Sequence, residues 1–258
     1  MSPAKVSERK VIQTLIHLLF SILLIGCRAP VSHYSREYPA VKISPELTTG
    51  EDQATESIIK PYRDPLLKSM NEVIVNSDTQ AVKGLPESSL GNLVCDILVQ
   101  YIKEEKKLPV DICFLNTGGL RIELPKGEIT RTALYELMPF ENQLVIAKLN
   151  GVELQLLLDQ IAQKGGGPVS GLRMGIRNGL SHQILIDGKN IDPSKIYNVL
   201  TSDYLFNGGD KYVLPQKAEH ITTNILLRDA LLEKFLLIKQ SGKVIQPRTD
   251  GRIYLVTP

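Results

Sequence analysis

The sequence predicts an α+β fold: a mixed sheet with packed helices in a single domain. Three observations carry this. One segment has strong helical periodicity, several short segments alternate or run apolar as strands do, and the two kinds succeed each other without strict βαβ alternation. The chain has 258 residues, 43% apolar and 22% charged, enough for one folded domain with a sizeable core.

The amino terminus is read apart from the fold. Lys5, Arg9 and Lys10 precede the apolar run Val11–Ile25, which is shorter than a spanning helix needs and has the length of a signal-peptide core. The run ends Leu24-Ile25-Gly26-Cys27, the pattern of a bacterial lipobox. Residues 1–26 are therefore expected to be a lipoprotein signal peptide, with Cys27 the lipidated first residue of the mature chain. An ordinary secretory signal with an incidental Cys27 is the alternative. Residues 27–51 carry Pro, Ser, Thr and charge without periodicity and read as a tether, leaving 52–258 as the domain. The expected place is the bacterial cell envelope, lipid-anchored at a membrane and outside the cytoplasm, since several acyl chains on one cysteine hold far better than one.

Within the domain, Asp52–Met70 has helical character interrupted by Pro61 and Pro65, and Asn71–Asn76 reads as a short strand. After Ser88-Ser89, Leu90, Leu93, Val94, Ile97, Leu98, Tyr101 and Ile102 mark one face of a helix that Pro109 is expected to stop. Val110–Leu115 is a strand running into the loop Asn116–Gly119. Thr130 caps a helix reaching about Met138. Gln143–Leu149 alternates as a strand, and Gly151–Gln163 places Leu154, Leu157, Leu158 and Ile161 on one helical face. Gly165-Gly166-Gly167-Pro168 breaks that helix. Strands near Leu172–Arg177, Gln183–Ile186 and Tyr197–Thr201, a helix near Asn224–Ile238 and a strand at Arg252–Val256 complete the order. Cys95 and Cys113 sit inside apolar runs and read as buried thiols, with no disulfide expected.

Composition excludes several functions. A net charge of +2, with no basic cluster among aromatics, gives no case for nucleic acid as a partner. Beyond the signal region the histidines are His33, His182 and His220, none in a metal-binding spacing, so no metal site is expected. There is no GxSxG, and no catalytic residue is assigned. Binding chemistry is more informative. Asn116-Thr117-Gly118-Gly119-Leu120-Arg121 follows a buried strand; its glycines admit close backbone approach and Arg121 offers a planar cation to a phosphate. The same residues also suit a tight strand-exit turn with a solvated arginine. Tyr204-Leu205-Phe206-Asn207-Gly208-Gly209-Asp210 adds an aromatic face and a carboxylate suited to a ribose diol, and Phe140 follows a helix end. Two aromatics permit a base sandwich without requiring one.

Taken in order, these motifs resemble the carboxy-terminal, substrate-recognition domain of the 5'-nucleotidase family. The resemblance rests on Leu90–Asp96, Asn116–Arg121, Leu124–Thr130, Met138-Pro139-Phe140, Val169-Ser170-Gly171 and Tyr204–Asp210, and covers about residues 55–258. It implies that Phe140 and Tyr204 stack on the base, Asn116 bonds the nucleoside, Asp210 holds the ribose hydroxyls and Arg121 binds phosphate. Gly118, Gly119, Gly208 and Gly209 would shape the pocket. Family members carry a further phosphate-binding arginine before the Leu-Gly-Asn motif; here that stretch, Ala81–Glu87, offers only Lys83. The family's metallophosphatase domain, with its divalent metals, has no counterpart in the sequence. The resemblance thus implies a nucleotide or nucleoside ligand, no cofactor in this chain, inactivity alone, and a separate metallophosphatase chain holding the metal. The alternative is a non-catalytic nucleoside-binding lipoprotein for capture or sensing.

Overall fold

The computed structural model describes residues 13, 15–17, 53–215 and 218–256. Cys27, His33 and the tether lie outside the described residues, and among those described no helix is long and apolar enough to cross a membrane. From Gln53 onward the chain forms one compact unit. It begins with α1 (Gln53–Met70), followed by β1 (Val73–Ser77) and α2 (Ser89–Glu104). Ser88 caps α2, its Oγ accepting from the Gly91 N–H at 3.0 Å.

Next come β2 (Ile112–Phe114), a 3-10 turn at Thr117–Gly119, β3 (Gly127–Thr130) and α3 (Arg131–Leu137), capped by Thr130 as the sequence predicts. β4 (Gln143–Asn150) leads directly into α4 (Gly151–Gln163) through a full capping box between Asn150 and Glu153. Then follow β5 (Val169–Ser170), β6 (Leu172–Arg177), β7 (Leu180–Ile186), β8 (Lys189–Asn190) and β9 (Ile196–Ser202). The short helix α5 (Asp203–Phe206), β10 (His220–Leu226), α6 (Leu227–Gln240) and β11 (Ile253–Leu255) close the chain.

The central sheet has the order β10-β4-β9-β2-β5, with β2 and β9 parallel and the other pairs antiparallel, so it is a mixed sheet as expected. Strand alternation sends its side chains into two cores. Cys113, Leu144, Ile146 and Leu200 face one that holds α2 and α6; Ile112, Phe114, Ala147, Leu149 and Val199 face another that holds α4 and the four-stranded sheet β11-β6-β7-β8. The chain passes from β5 to β6 at Gly171, where φ is +81° and a Cβ would lie 2.1 Å from the Asp111 carbonyl oxygen, so only glycine fits. Cys95 and Cys113 are buried free thiols; burial and the neighbouring Cys113 hold the Cys95 thiol well above its ordinary range.

Several elements differ from expectation. α1 runs unbroken through Pro61 and Pro65; it buries no residue, so the carbonyls those prolines leave unpaired face water. α2 ends at Glu104, well before Pro109, where the chain turns through a left-handed Lys107. β7 starts at Leu180 rather than Gln183, because Asn178-Gly179 is a two-residue hairpin turn with both φ positive. Residues 220–226, of which Asn224–Leu226 read as helix, instead pair with β4; the β-branched Ile221-Thr222-Thr223 is the signal for that strand, and α6 starts only at Leu227.

Candidate functional site

Three loops meet at one end of the central sheet because of strand direction. Parallel β2 and β9 both end there, delivering Asn116 and Tyr204, while antiparallel β4 starts there at Gln143, directly after Phe140-Glu141-Asn142. Leu144 pairs with Ser202 at this end, and the Gln143 N–H donates to Asp203 Oδ1 at 3.1 Å, joining the start of β4 to α5. The place is the carboxyl end of neighbouring parallel strands, where open sheets commonly take ligands.

A cavity of ≈ 290 Å³ opens between these loops, lined by Asn116, Gly118, Gly119, Arg121, Phe140, Asn142, Tyr204 and Asp210. Phe140 and Tyr204 remain 48% and 45% exposed, so two large rings present apolar faces that the domain does not cover. Asp210, in a left-handed conformation, is held from two sides: Asn116 Nδ2 donates to Oδ2 at 2.6 Å and the Tyr204 hydroxyl donates to Oδ1 at 2.8 Å. Lys164 Nζ donates to the Asp210 carbonyl at 2.9 Å and lies 4.9 Å from the centre of the Tyr212 ring. Burial, with the Asp210 charge beside it, pushes the Tyr212 hydroxyl up to about 12. Arg121 is tethered through its Nη1 to the Gly118 carbonyl at 3.3 Å and through its backbone N–H to the Leu137 carbonyl at 2.9 Å.

Seven of the nine residues singled out in the sequence thus line one cavity. Gly208 and Gly209 do not line it and act beneath it. Gly208 ends α5 with φ of +92°, and a Cβ on Gly209 would lie 2.4 Å from the Tyr204 ring. Gly119 has a similar task, since a Cβ there would sit 2.8 Å from Asn116 Oδ1. Lys83 does not line the cavity: its ammonium donates to the carbonyls of Leu120 and Arg121 at 3.2 and 3.1 Å and so braces the arginine loop. Sequence reasoning missed Asn142, although its position two residues after Phe140 placed it within reach of the same loop.

Among the described residues no group of three or more His, Cys, Asp or Glu is arranged to hold a metal ion. His182 lies in β7, and His220, in β10, packs on Phe206 at 4.5 Å between ring centroids with its Nδ1 against the Ala218 carbonyl. The donor set therefore does not fit a two-metal centre. What the arrangement can do is bind: two flat apolar faces, a carboxylate for hydroxyls, an amide and a guanidinium converge on one space.

Comparison with known proteins follows the same lines. The family described as 5'-nucleotidase, C-terminal domain matches residues 68–216. The trifunctional nucleotide phosphoesterase protein YfkN of Bacillus subtilis is 26% identical over 240 residues, 87% of this chain and 16% of that protein. The cell wall protein Lmo0130 of Listeria monocytogenes is 28% identical over 194 residues, 69% of this chain and 24% of that one. Among solved structures, a 5'-nucleotidase precursor from Thermus thermophilus superposes with a TM-score of 0.65 at 25% identity, covering 80% of this chain and 43% of that one. The chain thus spans less than half the length of each of these relatives.

Proposed function

We propose, from the premise that this chain belongs to the 5'-nucleotidase C-terminal domain family, that its domain recognises a nucleotide or nucleoside in nucleotide breakdown and that hydrolysis is completed by a separate metallophosphatase chain. The observation that carries the reading is the convergence of Phe140, Tyr204, Asn116, Asp210 and Arg121 on one cavity. The rings stack on the base, Asp210 accepts from the ribose diol, Asn116 adds a polar contact, and Arg121 faces the phosphate. Divalent metal belongs to the partner chain, since the described residues here supply no ligand set for it. Family resemblance also supports a setting outside the cytoplasm, and the Leu24–Cys27 pattern supports anchoring through Cys27.

The test is a calorimetric titration of the chain lacking residues 1–26, with Cys27→Ser, against adenosine and AMP. Both bind, AMP more tightly through Arg121, and Asp210→Ala weakens both by about 1–3 kcal/mol. Mixing with a metallophosphatase chain then yields AMP hydrolysis that this chain alone lacks. Hydrolysis by this chain alone would overturn the split arrangement. Nucleoside binding with no gain of activity from any partner would make the protein a capture lipoprotein instead.

A further inference from the structure

Asp210 stands at a strained place in the chain. It and Lys211 are consecutive non-glycine residues with φ of +50° and +61°, a conformation that L side chains keep only where the surroundings enforce it. On the cavity side the enforcement comes from Tyr204, whose hydroxyl accepts from the Asp210 N–H at 3.2 Å. From behind, it comes from the end of α4. Lys164 Nζ donates to the Asp210 carbonyl at 2.9 Å. One turn earlier, Gln160 grips both backbone groups of Val213: its Oε1 accepts from the N–H at 2.7 Å and its Nε2 donates to the carbonyl at 3.0 Å. Lys164 does not line the binding cavity; it lines a second one of ≈ 480 Å³ that shares Asn116, Gly118 and Asp210 with it. The end of α4 is fixed in turn. The Gly165 and Gly166 N–H groups donate to the Ala162 and Ile161 carbonyls at 2.9 and 3.0 Å, and a Cβ on Gly166 would lie 2.2 Å from the Pro86 carbonyl oxygen.

We propose that Lys164 is a positioning residue for the ribose: acting through the Asp210 backbone, it holds that carboxylate where it meets the 2′- and 3′-hydroxyls. The inference rests on the nucleoside reading above. Lys164 itself touches no ligand. Without its ammonium the turn loses the anchor behind Asp210 and relaxes towards the common right-handed region, which swings the carboxylate out of line with Asn116 and Tyr204. A carboxylate accepts from two neighbouring hydroxyls only in a narrow range of orientations, so the loss falls on the diol and spares the stacked base. The ammonium is placed in its turn by the Tyr212 ring, 4.9 Å away, which packs against Phe114 in the core at 5.4 Å between ring centroids. A cation beside an aromatic face and a carbonyl acceptor suit arginine as well as lysine, and do not suit an apolar side chain of the same length.

The experiment titrates the full chain in detergent with adenosine and with 2′,3′-dideoxyadenosine, which keeps the base and lacks the diol. The unaltered protein binds adenosine more tightly. Lys164→Met weakens adenosine by about tenfold, leaves dideoxyadenosine unchanged and retains the unfolding midpoint, while Lys164→Arg restores the preference. Equal loss for both ligands, no loss for either, or no rescue by Lys164→Arg overturns the proposal. If Asp210→Ala abolishes the preference for the diol and Lys164→Met keeps it, the nucleoside reading stands and only the role of Lys164 falls. Binding of both ligands without any preference removes the ribose contact and the proposal with it. If neither ligand binds, the nucleoside reading and the proposal fall together.

Discussion

At Asp210 both carboxylate oxygens are engaged, one by Asn116 at 2.6 Å and one by the Tyr204 hydroxyl at 2.8 Å, so an arriving diol exchanges hydrogen bonds rather than filling empty ones. The Tyr204 ring, in turn, is positioned from below by Gly209. Gly209→Ala puts a Cβ 2.4 Å from that ring and forces it aside, while no backbone strain is expected, because Gly209 is not among the positive-φ glycines. Nucleoside affinity should fall by about 1–3 kcal/mol, the worth of one stacking wall, with the melting temperature nearly unchanged; titration beside a thermal melt checks both. Residues of this kind were legible to the extent that their chemistry is local. Tyr204 and Asp210 stand in one glycine-rich turn after a strand and signal a pocket wall. Asn142 was legible only as a near neighbour of Phe140, because its place in the cavity wall depends on how the loop before β4 meets those after β2 and β9.

Among the elements, α2 and the final strand are joined by one side chain. Arg252 donates to both oxygens of Asp96 at 2.7 and 2.9 Å, to both oxygens of Asp250 at 2.9 and 2.7 Å, and to the Val169 carbonyl at 2.9 Å, tying α2, β5 and the start of β11 together. Hydrogen bonding to Arg252 holds the Asp250 carboxyl below its ordinary value. A lowered carboxylate pKa means that its share of stability is present above the unfolded value and is lost as pH falls through the folded one. Arg252→Ala should therefore cost about 2 kcal/mol at neutral pH, less than a fully buried pair because Asp96 and Asp250 are partly exposed, and the difference should shrink in acid. Urea unfolding of both proteins at neutral and acid pH measures this. Elements with their own caps, such as α2 behind Ser88 and α4 behind Asn150, were readable from sequence. β10 and the short β3 were not, since each owes its existence to a distant partner, β4 and β1 respectively.

For the molecule as a whole, the mixed α+β architecture followed from the order of periodic segments, but the meeting of three loops did not, because sheet order is not written in any single segment. That meeting depends on β4 and β9, whose seven paired positions run from Leu144↔Ser202 to Asn150↔Ile196 through the middle of the central sheet. The two aromatic residues of the cavity lie just outside the first of these pairs, Phe140 before β4 and Tyr204 after β9. Their separation is therefore held by the ladder, with a core packed on each face. Amide hydrogen exchange makes the consequence visible. Protons along β4 and β9 should exchange only when the whole domain unfolds, at a rate that adenosine changes no more than global stability requires. Amides of residues 116–121 and 204–210 exchange through small local openings, and adenosine should slow them selectively, marking where the domain yields and where it does not.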